Sequence, residues 1–315
     1  MTALPIVALT APIHPDAYAR LAQAAQVRTA ADASPDALRA VAREAHGLIV
    51  RNHLPEDIFD HAPHLRFVVR HGVGLDMIPV AQATARRIAV ANLPGSNTAA
   101  VVEYCVSAML HLRRNLAGMD ARLRGEGWAR ARAMADSGTE LHGAVCGVVG
   151  LGAIGSRLAA VAQALGMRVV GLTRRPERLP AGVEAVDKQT LMQTADVIVL
   201  CCPLTDDTRG MINAKALSLA KPSALLINVS RGPVIDTAAV IDALVQDRLG
   251  GAALDVHDVQ PLPADAAVLA APRLLLTPHV AGTTATSMRR MSEGAVDDML
   301  RLLRGDMPSN QVNTF

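Results

Sequence analysis

Aromatic residues are scarce in this chain, with three Phe, two Tyr and one Trp among 315 residues. So few rings exclude the stacking platforms on which single-stranded nucleic acids bind, and they require a core of Ala, Val, Leu, Ile and Met. An excess of one charge is also lacking. Lys+Arg is 31 and Asp+Glu is 29, a formal net charge of +2. Nothing in that balance attracts nucleic acid or an anionic membrane, so neither is an expected partner. No apolar run approaches the ~18 residues of a membrane span. Met1–Thr10 has no basic n-region, and no adequate apolar h-region precedes Pro12 and His14; no signal peptide is read. There are only four cysteines, Cys105, Cys146, Cys201 and Cys202, all in apolar stretches and none in a C-x-x-C pair. No Cys/His cluster has zinc-ligand spacing, so no metal is predicted. Reduced thiols in a cytoplasmic protein are the simplest reading.

What remains is 50% hydrophobic and 19% charged, enough for well-buried cores, and the length fits roughly two domains at about 150 residues each. Short apolar runs at 6–9, 47–50, 65–69 and 88–91 read as strands, with a helix over 35–45 opened by Pro35. The βαβ rhythm implies a parallel sheet covered on both faces. Asn92–Thr98 is a turn cluster before a helical pattern over 99–117, and a domain boundary falls there. A second series places strands at 145–149, 168–172, 196–201, 224–229, 251–254 and 274–277, then an amphipathic helix over 286–304. The fold class is α/β, with a doubly wound parallel sheet of the dinucleotide-binding type in the second series.

Gly150-Leu151-Gly152-Ala153-Ile154-Gly155 is G-x-G-x-x-G between a predicted strand and a predicted helix. In that context the first glycine permits the tight turn, the second admits a pyrophosphate, and the third lets helix and strand pack closely. Ala153 and Ile154 open the helix whose amides would face the anion. A site selective for NAD usually has an acid about 20 residues on, at the end of the second strand. Here Thr173 takes that place and Arg174 and Arg175 follow. A carboxylate would repel a 2′-phosphate, whereas Thr and Arg accept it. The prediction is therefore NADP(H), with NAD(H) the alternative.

Three more segments follow predicted strands: Asn228-Val229-Ser230-Arg231-Gly232, Ala253 to Pro261, and Thr277-Pro278-His279. Open α/β sheets bind ligands at such strand ends. Arg231 has the fork to hold a carboxylate and polarise a carbonyl, and His279 the ordinary pKa to exchange a proton near neutrality. Together with the glycine turn, Cys202-Pro203-Leu204-Thr205, Arg70-His71-Gly72-Val73-Gly74-Leu75-Asp76, Asn92-Leu93-Pro94-Gly95 and the closing Leu303-Arg304-Gly305 and Val312-Asn313, these segments resemble the D-isomer-specific 2-hydroxyacid dehydrogenases over the whole chain.

The resemblance implies two doubly wound domains, a flavodoxin-like substrate domain (residues 1–97 and 287–315) and a Rossmann cofactor domain (98–286), with the active site in the cleft. It implies Arg231 as substrate and catalytic residue and His279 as proton donor, with the backbone amides of Val73 and Gly74 on the substrate carboxylate. It also implies Asp255 on the nicotinamide amide, Cys202, Pro203, Val229 and Ser230 lining the cofactor, and residues 99–135 as the arm of a homodimer. The favoured reaction is NADPH-dependent reduction of a small 2-keto acid, glyoxylate or hydroxypyruvate first.

One position departs from the pattern. Where the family has Glu before Pro261, this chain has Gln260. An amide can orient His279 but cannot stabilise its imidazolium with a full charge, so keto-acid reduction is expected to fall off at lower pH than in relatives with Glu. Asp258 is the alternative support. Gln before Pro also resembles formate dehydrogenases of the same superfamily, where no proton donor is needed. A dinucleotide-sensing protein without turnover is the remaining alternative. Among the other histidines only His71, bordering the glycine loop, draws attention; His257 does not.

Overall fold

The computed structural model describes residues 4–315. Its first unit runs to Asn97 and resumes at Thr283, continuing to Phe315; the second is Thr98–Gly282. The last helix and its cap belong wholly to the first unit: Thr284 and Ser287 form a capping box at its N-terminus.

The first unit has strands β1 (Ile6–Leu9), β2 (Gln26–Thr29), β3 (Gly47–Val50), β4 (Phe67–Arg70) and β5 (Ala89–Ala91), and helices α1 (Pro15–Ala22), α2 (Pro35–Ala42) and α3 (Val80–Ala85). The strands are all parallel in the order β2-β1-β3-β4-β5. α1 and α2 each start on proline after a capping residue: Ser34 accepts from Ala37 N before Pro35, and His14 accepts from Asp16 N before Pro15.

The second unit opens with α4 (Thr98–Arg114), α5 (Leu116–Glu126) and α6 (Trp128–Ala133). The helix expected over 99–117 stops at Arg114, because Asn115 turns left-handed (φ 44°) and caps α5 with its side chain. Then come β6 (Val145–Val149), α7 (Ala153–Ala164), β7 (Arg168–Leu172), β8 (Val183–Ala185), α8 (Lys188–Thr194), β9 (Val197–Leu200), α9 (Ala214–Leu217), β10 (Leu225–Asn228), α10 (Thr237–Val245), β11 (Gly251–Leu254) and β12 (Leu274–Leu276). They form a seven-stranded parallel sheet, β12-β11-β10-β9-β6-β7-β8. The final helix, α11 (Ala285–Arg304), packs on the first unit, where Met299 sits so close to Gly47 that any side chain there would displace it.

Strands β3, β9, β10 and β11 are buried at every position, as sheets covered on both faces require. Each sheet has an aliphatic core on either side, and Phe59 is the one buried aromatic core residue among those described.

His71, at the end of β4, is 3% exposed. Its Nε2 lies 2.8 Å from Ser292 Oγ, whose own hydrogen goes to Met288 O and which also accepts from His14 N. Burial, then the charges of Arg51 and Arg70, push its pKa down to about 3. The unfolded chain binds this proton below about pH 6.5, whereas the folded chain resists it until about pH 3. The stability this neutral histidine contributes is therefore complete above pH 6.5 and is lost as pH falls toward 3, by up to about 1.4 kcal/mol per unit. Urea unfolding at pH 6.5 and 4.5 should show His71→Gln losing about 2–3 kcal/mol less than wild type over that interval; equal losses would assign the acid lability to other groups.

Candidate active site

The glycine turn follows β6 and opens α7. Gly150 adopts φ 89°, and a Cβ there would lie 2.7 Å from Cys202 Cα. A Cβ on Gly155 would run into the Gly150 carbonyl. These two glycines are demanded by the backbone. Gly152 differs: a Cβ there would meet nothing within 4 Å. The space over the second glycine is open, and the first turn of α7, with Ala153 exposed and Ile154 half-buried, borders it. That arrangement fits a pyrophosphate at a helix N-terminus. Gly150 N donates to Leu172 O at 2.9 Å, so the end of β7 lies beside the turn. Thr173 accepts from Arg175 N at 3.1 Å, and Arg174 and Arg175 are exposed. Cys202 is buried, which raises its thiol pKa, and Pro203 after it is exposed. Among the described residues no group of His, Cys, Asp or Glu is arranged to hold a metal, and none of the four cysteines is disulfide-bonded.

The ends of β10, β11 and β12 stand in register, with Asn228 opposite Leu254 and Leu254 opposite Leu276. Asn228 is fully buried, and its amide builds the turn that presents Arg231: Oδ1 accepts from Ser230 N and Nδ2 donates to Arg231 O. Val229 is half-buried and Ser230 buried in that turn. Gly232 closes it against the next loop, where a Cβ would overlap the His257 carbonyl.

Asp255, 1% exposed, ties the β11 and β12 loops together. Its Oδ1 accepts from Thr277 Oγ1 and Val280 N, both at 2.7 Å, and its Oδ2 from Ala281 N at 2.8 Å. Its own carbonyl accepts from His279 N at 2.7 Å. His279 is held between these contacts at φ 58°, a conformation that costs energy for a side chain with a Cβ and persists where the surroundings impose it. Tyr104 of α4 lies 2.7 Å from Thr277 Oγ1. The Thr277 hydrogen is committed to Asp255, so Tyr104 is the donor; burial raises its pKa to about 12 and keeps that proton on.

His279 Nδ1 lies 2.9 Å from Gln260 Oε1. Gln260 Nε2 in turn donates to the His257 carbonyl at 3.2 Å. A carbonyl only accepts, so the amide nitrogen must face it and the amide oxygen must face His279. Nδ1 therefore carries the hydrogen, and Nε2 is the nitrogen that could exchange a proton with a substrate. Asp258 does not take this place: it is exposed and accepts from Thr237 Oγ1 at 2.7 Å.

Val73 and Gly74 lie in the first unit, in the loop after β4. Among the described residues no hydrogen bond engages their amide N–H groups, so both can donate to an anion.

Several residues here escape sequence reading. His257 has no motif of its own, yet its Nε2 lies 3.0 Å from Thr277 O and its carbonyl fixes Gln260. Gly232 and Asn228 are visible as parts of a motif but not as its geometry. Tyr104 has one signal, a phenol in an otherwise aliphatic stretch of helix.

A family model described as D-isomer specific 2-hydroxyacid dehydrogenase, NAD binding domain, matches residues 106–281. The chain is 34% identical to a glyoxylate reductase from Aeropyrum pernix, over 88% of this chain and 86% of that protein. It is 33% identical to a D-3-phosphoglycerate dehydrogenase from Mycobacterium tuberculosis over 98% of this chain, but it spans only 59% of that longer protein. Among solved structures, the NADPH-dependent glyoxylate/hydroxypyruvate reductase from Sinorhizobium meliloti, in complex with NADP and malonate, superposes with TM-score 0.86 at 29% identity, over 98% of this chain and 96% of that one.

Proposed function

The chain belongs to the D-isomer-specific 2-hydroxyacid dehydrogenase family and is an NAD(P)-dependent oxidoreductase, and we propose that it reduces a small 2-keto acid with NADPH, glyoxylate or hydroxypyruvate foremost. The observation that carries this reading is the His279–Gln260 pair. Its amide is oriented so that Nδ1 keeps its hydrogen and Nε2 serves as the acid. A ketone accepting hydride needs a proton on oxygen, and a histidine supplies it near neutral pH. Arg231 holds the substrate carboxylate and polarises the carbonyl with its planar fork. The amides of Val73 and Gly74 add donors to that carboxylate.

The dinucleotide supplies the hydride when bound. Gly150, Gly152, Ala153, Ile154 and Gly155 would hold its pyrophosphate, with Cys202, Pro203, Val229 and Ser230 lining the site. Asp255 is assigned to shaping the His279 loop as well as to the nicotinamide side. Thr173, Arg174 and Arg175 favour a 2′-phosphate, since no carboxylate stands at the end of β7 to repel it. The glyoxylate/hydroxypyruvate reductase similar in structure is itself NADPH-dependent.

A homodimer is part of this reading. Helix α5 buries none of its side chains, while Leu116 and Trp128 are 62% and 76% exposed; large apolar side chains left uncovered on that arm suit a second copy. Four thiols with no disulfide suit a reducing cytoplasm, and no helix among the described residues is long and apolar enough to cross a membrane.

Initial rates with glyoxylate and hydroxypyruvate, each with NADPH and NADH, test the proposal directly. Turnover of a 2-keto acid with a clear NADPH preference is expected. NADH preference would remove the role given to Thr173, Arg174 and Arg175. Turnover of formate with NAD, and of no keto acid, would replace the substrate class.

Gln260→Glu separates two effects of the same residue. A carboxylate facing His279 favours the imidazolium, so the descending limb of the reduction pH profile should move up by about one unit. The second carboxylate oxygen would also face the His257 carbonyl, where the amide now donates, so the maximal rate should fall. An unchanged limb would show that Gln260 does not set the proton affinity of His279.

A further inference from the structure

We infer that Arg70 and Asn92 are positioning residues for substrate recognition, fixing the loop 71–74 so that its amides face a carboxylate. The inference rests on the carboxylate site proposed for Val73 and Gly74 and extends it to side chains that do not touch the substrate.

The loop has four carbonyl oxygens, and each is tied inward by a different donor. Arg70 Nη1 donates to His71 O at 2.7 Å, and Arg70 Nε to Gly74 O at 3.0 Å. Leu93 N donates to Gly72 O at 2.9 Å, and Asn92 Nδ2 to Val73 O at 2.6 Å. Arg70 Nη1 also donates to Val50 O at 3.0 Å, which anchors the fork to the end of β3. The guanidinium lies against the turn, where a Cβ on Gly72 would come within 3.4 Å of it and where Gly72 itself adopts φ 144°. A peptide plane carries its C=O and N–H on opposite sides. Turning successive carbonyls inward therefore turns the intervening amides of Val73 and Gly74 outward, as a concave pair of donors of the kind that binds anions.

The two side chains are not equivalent. Arg70 bridges the two ends of the loop and brings a positive charge beneath it. Asn92 fixes its middle and is itself held from the C-terminal segment: Asn310 Nδ2 donates to Asn92 Oδ1, and Asn92 N donates to Asn310 O at 3.3 Å. That segment runs along β5, through a bridge between Ala91 and Gln311 and a bond from Val312 N to Val90 O. The orientation of the donors thus depends on residues at 70, 92 and 310, far apart in sequence and joined at one loop. Lysine at position 70 would keep the charge but not the fork, and a point donor cannot span two carbonyls in fixed directions.

The test follows backbone amides rather than turnover. Wild type, Arg70→Met, Arg70→Lys and Asn92→Ala, all ¹⁵N-labelled, are titrated with oxalate as a dicarboxylate probe, and the Val73 and Gly74 resonances are followed. Wild-type amides should shift with saturation. Arg70→Met should weaken that binding by about tenfold or more, and Arg70→Lys and Asn92→Ala by less. In kinetics with a keto acid, the same variants should raise KM more than they lower kcat, with NADPH affinity unchanged. Saturation in Arg70→Met and Asn92→Ala equal to wild type would overturn the positioning role and leave the carboxylate site standing. No response in wild type itself would overturn both, because the amides would then not be the carboxylate site. If Arg70→Met fails to fold, Asn92→Ala and Arg70→Lys still decide the outcome.

Discussion

A single buried carboxylate holds the candidate site of the second unit together. Asp255 accepts from a hydroxyl and two successive backbone amides of the loop after β12, and its carbonyl accepts from His279 N. Charge-assisted bonds of this kind, away from water, are among the stronger ones available to a protein. Here they hold a histidine at a left-handed φ that the chain would otherwise avoid. Loosening that knot would let His279 relax toward an ordinary conformation and away from Gln260. The Tyr104 hydroxyl, donating to Thr277, lies behind the same knot.

Rigid strands and specialised loops divide the work. The parallel register of β10, β11 and β12 brings three loops to one edge of the sheet. Gly232 lets two of them touch at backbone distance, and His257 joins the second to the third through Thr277 and Gln260. A comparable logic holds the 71–74 loop in the first unit, where side chains capture carbonyls so that amides are left for a ligand. In both places the groups that would meet substrate are few, and more residues serve to aim them. Precise aiming of donors before the reaction is what makes electrostatic stabilisation effective, since no reorganisation is then needed.

The buried strands were legible from sequence because parallel strands covered on both faces are uninterrupted apolar runs; β1, β3, β6, β7 and β11 fall where the runs do. The edges were not. β2 reads Gln-Val-Arg-Thr with three exposed residues, and β8 is three residues long with two exposed, so neither has the apolar signature that identifies a strand. Of the site, Arg231, His279 and the glycine turn stand in contiguous motifs and could be read. The parts played by His257, Tyr104, Asn92 and Arg70 could not, because each acts through a contact made only in three dimensions. Asp255 was legible as a residue of interest, but its three bonds within the His279 loop were not, since they depend on where the chain turns after Pro278.

The account's central claim is that Asp255 acts through His279, and a double-mutant cycle measures it. Asp255→Asn, His279→Asn and the double variant are compared in kcat/KM for keto-acid reduction, with cofactor KM followed in parallel. If Asp255 serves to present the histidine, the double variant is no slower than His279→Asn alone, because residues acting as one unit are not additive. Fully additive losses in kcat/KM would contradict the account and leave Asp255 only its part on the nicotinamide side.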